Sequence, residues 1–153
     1  MRILVVDDNR RHLEAAREQL GQEHEITCLD AYEDAIERLR TEPPEVLLAD
    51  LLMPAEPYML GPDGLRYLGH EMPIGLILAL IAARAGVGRI AVITDANHHN
   101  HPMSAAVDWI NPAYWSAEST RTLRVEDARV LIAHAPLLPD GRKDWTTALA
   151  ALE

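Results

Sequence analysis

The stretch Ile3-Leu4-Val5-Val6-Asp7-Asp8-Asn9 runs four apolar residues straight into two adjacent acids. A continuous apolar run of this length fits a strand covered on both faces of a sheet. A second such run, Val46-Leu47-Leu48-Ala49, also ends in an acid, Asp50. A third, Ile90-Ala91-Val92-Ile93, ends in Thr94-Asp95. Parallel strands that deliver acids and a hydroxyl at their C-terminal ends place them in one crevice, where open α/β sheets bind ligands.

The segments between these runs read as helices. Asn9 is placed to cap a helix carrying Leu13, Ala16 and Leu20, and Gly21 stops it. Glu25-Ile26-Thr27-Cys28-Leu29 alternates, as a strand at a sheet edge does. Asp30 and Glu33 have the spacing of a capping box for a helix with Ala35, Ile36 and Leu39, which Pro43-Pro44 ends. After a Pro- and Gly-rich loop from Met53 to Pro62, Asp63 is expected to cap a third helix reaching Ala85, broken or kinked at Pro73. Later, Ser104 to Ile110 reads as a short helix. Thr122 to Ala133 reads as a hairpin ending in the fifth strand, and Lys143 to Leu152 as the last helix. Strand and helix alternate, so the expected fold is α/β, a doubly wound, five-stranded parallel sheet. It forms one domain over residues 1–153, with an extended loop after the third strand and an irregular insertion before the fifth.

Composition narrows the function. The 153 residues include no Phe, and the formal net charge is −10. That excess of acid argues against a general nucleic-acid binder, which needs clustered Lys and Arg. It also favours a cation in the acidic crevice. Cys28 is the only cysteine and reads as core, so no internal disulfide can form. No basic segment followed by an apolar block marks a signal peptide. The most apolar stretch, Ile74 to Ala83, falls short of the about 20 residues needed to span a bilayer. A cytoplasmic protein without membrane attachment is expected.

Together, Leu4-Val5-Val6-Asp7-Asp8-Asn9, Asp50-Leu51-Leu52-Met53-Pro54, Asp63-Gly64-Leu65 and Thr94 resemble the receiver domain of bacterial two-component response regulators. The resemblance covers the first two-thirds of the chain well and the rest loosely. It implies a flavodoxin-like strand order, Asp50 as phospho-acceptor, and Mg²⁺ held by Asp7, Asp8, Asp50 and the Leu52 carbonyl. It implies that Thr94 contacts the phosphoryl group and switches. It implies a histidine kinase or phosphotransfer protein upstream and a downstream protein partner, with a homodimer left open. A stand-alone signalling domain with at most autophosphatase activity is the expectation, since no stretch is left for a DNA-binding output domain. Three carboxylates in one pocket raise one another's pKa, and a hard dication with oxygen ligands offsets this.

The family's lysine, which precedes a Pro at the end of the fifth strand, has no direct match. Asn111-Pro112 serves if that strand is early, and His134-Ala135-Pro136 if it is late. The buried character of Val130-Leu131-Ile132-Ala133 favours the late placement, which puts His134 nearest the lysine position. Lys143 reaches back only if its loop folds inward. The absent lysine motivates an alternative, a phosphorylation-independent pseudo-receiver that binds a protein partner. His98, His99 and His101 follow Thr94 at the rim of the expected crevice. They suit a transition metal, a positive contact to a phosphoryl group, a pH-sensitive contact, or simply a polar loop capping a helix. A metal-dependent hydrolase built on them and the acids is the third reading. His12 and His24 read as exposed, Asp95 as a loop or cap residue, and Trp109, Tyr114 and Trp115 as packing.

Overall fold

The computed structural model describes residues 1–57, 60–113 and 120–153. The central sheet is built from β1 (Arg2–Val6), β2 (Glu25–Leu29), β3 (Val46–Asp50), β6 (Arg89–Thr94), β7 (Thr122–Val125) and β8 (Ala128–His134). Its order is β2-β1-β3-β6-β8-β7. The first five strands in that order are mutually parallel, which is the doubly wound topology read from the sequence. The sixth, β7, is the outer arm of the expected hairpin and pairs antiparallel with β8. The late strand is therefore the fifth parallel one.

Successive residues on a strand face opposite sides. Leu4, Val6, Leu47, Ala49, Ile90 and Val92 pack on one side, with residues of α2 (Tyr32–Thr41) and α4 (Ile74–Arg84). Ile3, Val5, Leu48, Ala91, Ile93 and Leu131 pack on the other, with α1 (Arg10–Leu20) and α6 (Trp145–Ala150). Both faces are covered, which is why the strand runs are apolar throughout. Cys28 is half-buried against the second cluster. Asn9 caps α1 as expected, its side chain accepting from the Arg11 N–H, and Gly21 ends the helix.

Three local expectations are corrected. The α2 cap is Ala31, which offers no side-chain acceptor, so Asp30 and Glu33 form no capping box. Instead the Glu56 carboxylate, from the loop after β3, accepts the Glu33 N–H at 3.0 Å. The segment after β3 is not the start of one long helix. It forms β4 (Met53–Pro54), a single helical turn α3 (Gly61–Gly64) with a 3₁₀ turn over Leu65–Tyr67, and β5 (Glu71–Met72). β4 and β5 pair antiparallel. Asp63 lies inside α3, whose cap is Leu60. Pro73 does mark a break, as expected: it is the N-cap of α4, where its missing N–H has no helical partner to lose. The remaining short helix, α5 (Pro102–Val107), lies between β6 and β7.

α4 crosses the C-terminal end of β3 closely, and Gly75 is what permits it. A Cβ at Gly75 would sit 2.8 Å from Leu51 Cα and 2.9 Å from Val92 Cγ1, and would collide with the Asp50 carbonyl. The Gly75 N–H donates to Leu51 O at 3.1 Å, so helix and strand end are held together by backbone. Gly75→Ala should therefore lower stability by about 1–3 kcal/mol. Denaturant unfolding of the variant measures this, and an unchanged midpoint would mean that α4 can shift away from β3 without cost.

Candidate functional site: an acidic cleft at the strand ends

Asp7 follows β1, Asp50 ends β3 and Thr94 ends β6, so these three arrive at the C-terminal edge of adjacent parallel strands. With Asp8, Asn9, Leu52, Glu71, Asp95 and Ala96 they line a cleft of about 220 Å³. Asp7, Asp50 and Thr94 are buried, while Asp8 is exposed at its mouth. One carboxylate oxygen from each of Asp7, Asp8 and Asp50 can lie within 4.8 Å of the other two. Asp7 Oδ1 accepts the Asn9 N–H at 2.9 Å, which aims its other oxygen inward. The Thr94 hydroxyl oxygen accepts the Ala96 N–H at 3.1 Å.

Lys143 pairs with three of the acids that line the cleft. Its Nζ lies 2.6 Å from Asp7 Oδ2, 2.8 Å from Asp50 Oδ1 and 3.4 Å from Asp95 Oδ1, with its side chain fully buried. The cation beside the acids is thus Lys143, nine residues after His134. His134 points elsewhere, its Nε2 standing 2.8 Å from Asp108 Oδ1. The physical reason is a tight reversal of the chain. The Gly141 N–H donates to Leu138 O at 2.9 Å, and Leu138 N donates to Arg142 O at 2.8 Å. Pro139, Asp140 and Gly141 form a three-residue hairpin loop, with Gly141 at φ 81°. A type I turn followed by a left-handed glycine has this form. Asp140 locks it, accepting from the Arg142 side chain at 2.7 Å, and Arg142 also pairs with Glu18 of α1 at 2.7 Å.

His12 is buried, not exposed, and it positions the lysine segment. The Lys143 backbone N–H donates to His12 Nδ1 at 3.2 Å, so that nitrogen is an acceptor. Nε2 then carries the proton, 3.1 Å from Asp95 Oδ2. The Trp145 indole N–H donates to the His12 carbonyl at 2.8 Å. Asp95 is accordingly part of the site: it bridges His12 and Lys143. The sequence places Asp95 at a strand end but reads it as a loop or cap residue, and His12 as exposed, because nothing there ties either to Lys143. The Pro139-Asp140-Gly141 reversal, by contrast, is a turn signal that could have located the lysine.

The electrostatics follow from burial. Desolvation, opposed by the Lys143 ammonium and reinforced by Asp7, pushes the Asp50 carboxyl up to about 7. Burial and then Asp7 raise Asp8 as well. Burial alone would depress Lys143, but Asp50, Asp7 and Asp95 outweigh it and hold the ammonium above its usual range. The His12 hydrogen bond, helped by Lys143, holds Asp95 well below the usual carboxylate range.

The histidines expected at the rim separate. His101 Nδ1 accepts the Met103 N–H at 3.1 Å and caps α5. His98 pairs with Asp108 and His99 with His98, and none of the three is among the described residues lining the cleft. Trp109 is exposed, not packing, while Tyr114 and Trp115 lie outside the described residues.

No protein-family model matches the chain, and no curated protein matches it in sequence. Solved structures do. RcsB from Salmonella enterica serovar Typhimurium, bound to promoter rprA in the presence of phosphomimetic BeF3⁻, is similar at TM-score 0.55 and 20% identity. The match covers 98% of this chain and 66% of that one. The isolated REC domain of RcsB is 23% identical over 71% of this chain and 70% of its own, at TM-score 0.44. The BeF3-activated DrrB receiver domain is 20% identical over 63% of this chain and 67% of its own, also at TM-score 0.44. The chain has the receiver-domain fold. It spans just under two-thirds of the length of the promoter-bound RcsB chain. None of the described helices is long and apolar enough to cross a membrane.

Removing the Lys143 ammonium would leave Asp7 and Asp50 buried without their cation. Lys143→Met should cost about 3–5 kcal/mol at pH 8. The loss should shrink at pH 5, where Asp50 takes up a proton. Urea unfolding at the two pH values checks this, and equal losses at both would refute the charge-pairing account.

Proposed function

We propose that this receiver fold works as a phospho-accepting domain of a two-component pathway, with Asp50 as the acceptor. One observation carries the reading: the Asp50 carboxylate shares a cleft with Asp7, Asp8 and the Thr94 hydroxyl, and a buried ammonium pairs with both Asp7 and Asp50. The lack of a lysine was the motive for a phosphorylation-independent alternative, and Lys143 removes it. The hydrolase alternative loses its support with the histidines turned away from the acids.

The donor set suits Mg²⁺. Asp7, Asp8 and Asp50 offer hard oxygen ligands within reach of one another, and Leu52, whose carbonyl would be a fourth ligand, lines the same cleft. Mg²⁺ prefers few protein ligands and several waters. When bound, it would neutralise phosphoryl oxygens. The chain's own residues do the rest. An ionised Asp50 oxygen forms the new P–O bond, while the P–N bond of a phosphohistidine donor breaks and the departing imidazole takes the electron pair and then a proton. Lys143 counters the charge that arrives on Asp50. Thr94, at the end of β6, can donate its hydroxyl to a phosphoryl oxygen and exchange its contact with the Ala96 N–H. That exchange would move the start of the loop after β6 and give a downstream protein something to read. The donor is a histidine kinase or a phosphotransfer protein.

Two measurements test this. Incubation with Mg²⁺ and acetyl phosphate should add one phosphoryl mass, and Asp50→Asn should abolish it. No modification of the wild type would overturn the assignment. The second is pH dependence. The folded Asp50 pKa of about 7 lies above the unfolded value of about 3.9. Folding therefore binds this proton more tightly, and the stability it brings is lost as pH rises from about 4 to about 7. A dication competes with the same proton, so Mg²⁺ should raise the melting temperature more at pH 8 than at pH 6. A Mg²⁺ effect independent of pH, or one that survives Asp50→Asn, counts against Asp50 as a ligand.

A further inference from the structure

His98, Asp108 and His134 come from three separate elements. His98 lies in the loop after β6, Asp108 is the C-cap of α5, and His134 is the last residue of β8. The two oxygens of Asp108 each face one imidazole: Oδ2 is 2.7 Å from His98 Nδ1, and Oδ1 is 2.8 Å from His134 Nε2. One ligand atom from each can lie within 4.8 Å of the other two. Behind His98, its second nitrogen Nε2 stands 2.9 Å from His99 Nε2.

We propose that His98, Asp108 and His134 form a second metal site, for a borderline transition-metal dication of the Zn²⁺ class. Two imidazoles and a carboxylate are the ligand types such ions take, whereas Mg²⁺ prefers oxygen alone. The geometry is close to what coordination needs. With ligands at about 2.0–2.1 Å from a tetrahedral ion, neighbouring ligand atoms stand ~3.3 Å apart. The 2.7 and 2.8 Å contacts run to different oxygens of Asp108. A carboxylate binding through one oxygen therefore opens its own contact by about half an ångström. The other imidazole turns toward that oxygen, within the 4.8 Å that the three ligand atoms span. The proton inventory also works without a net change. His98 shifts its proton to Nε2 and His99 shifts its own to Nδ1, so that His98 Nε2–H donates to His99 Nε2. A ligating imidazole whose other nitrogen is held by a hydrogen bond is the usual second-shell arrangement. His134 binds through Nε2 and carries its proton on Nδ1.

The loop is already fixed in shape. Asn97 Oδ1 accepts the His99 N–H at 2.8 Å, His101 caps α5, and the Ser104 hydroxyl donates to the Ala96 carbonyl. Binding therefore has little backbone to order. The side chains of His98, Asp108 and His134 are 26%, 33% and 11% exposed, so an ion can reach them from solvent. His134 is the sheet partner of Thr94. An ion here would tie the loop that follows Thr94 to the end of β8, next to the acidic cleft but separate from it.

The test is a titration of the metal-stripped full chain with Co²⁺, and with Zn²⁺ by calorimetry, in excess Mg²⁺ to occupy the carboxylates. One equivalent should bind in the micromolar range or tighter, and the Co²⁺ form should show visible bands of mixed nitrogen and oxygen ligation. His98→Ala and Asp108→Ala, both at partly exposed positions, should each weaken binding about tenfold or more. Asp8→Asn should leave it unchanged. Circular dichroism confirms that each variant is folded. The proposal is overturned by no saturable binding, by less than a tenfold loss in either variant, or by a loss in Asp8→Asn. None of these outcomes bears on phosphorylation of Asp50, which acetyl phosphate reads separately.

Discussion

A fully buried ammonium among carboxylates governs the arrangement at the strand ends. Lys143 touches Asp7, Asp50 and Asp95. Taking any of these charges out of water alone would cost several kcal/mol, so the site exists only as a set. The requirement reaches outward. Lys143 arrives on a loop that must reverse within three residues, and that reversal is held to α1 through Arg142 and Glu18. His12 then holds both the lysine backbone and Asp95, and Trp145 holds His12. A cluster of ionic contacts thus dictates where α6 begins and how it seats on α1.

The same set stays short of positive charge. One ammonium faces Asp7, Asp50 and Asp95, with Asp8 at the mouth. The raised pKa of Asp50 expresses that shortage, since the carboxyl keeps its proton toward neutrality when burial and Asp7 outweigh Lys143. A dication with oxygen ligands would correct the balance. The extension after β3 adds to the acid, because β5 brings Glu71 to the rim. That extension also stabilises the fold: Glu56 serves the unfilled N-terminus of α2, and the Glu56 N–H donates to the Tyr32 hydroxyl at 2.8 Å.

How much of this could be read in advance depended on the range of the contact involved. The strands and the meeting of Asp7, Asp50 and Thr94 followed from runs that are apolar on both faces and from parallel topology, and the strand order from the receiver resemblance. The helix caps were less legible. Asp30 and Glu33 have the right spacing, but Glu56 competed for the same donor from 23 residues away. The helix expected from Asp63 starts only after Pro73, where a break was expected, because the residues before it form two short turns and β5. His134 was chosen for the lysine position by proximity in sequence, whereas the occupant is set by a turn that brings Lys143 back.

By itself, the sequence determined the α/β alternation, the parallel sheet and the acidic residues at its C-terminal edge, because strand periodicity and apolar runs are local properties. Only the tertiary structure decided that Lys143 completes the cleft, that His12 and Asp95 support it, and that His98 and His134 meet at Asp108 instead of at the acids. Those outcomes depend on charges and imidazoles finding partners across long sequence separations. Which partner satisfies a buried polar group is settled by the packed geometry, not by its neighbours in the chain.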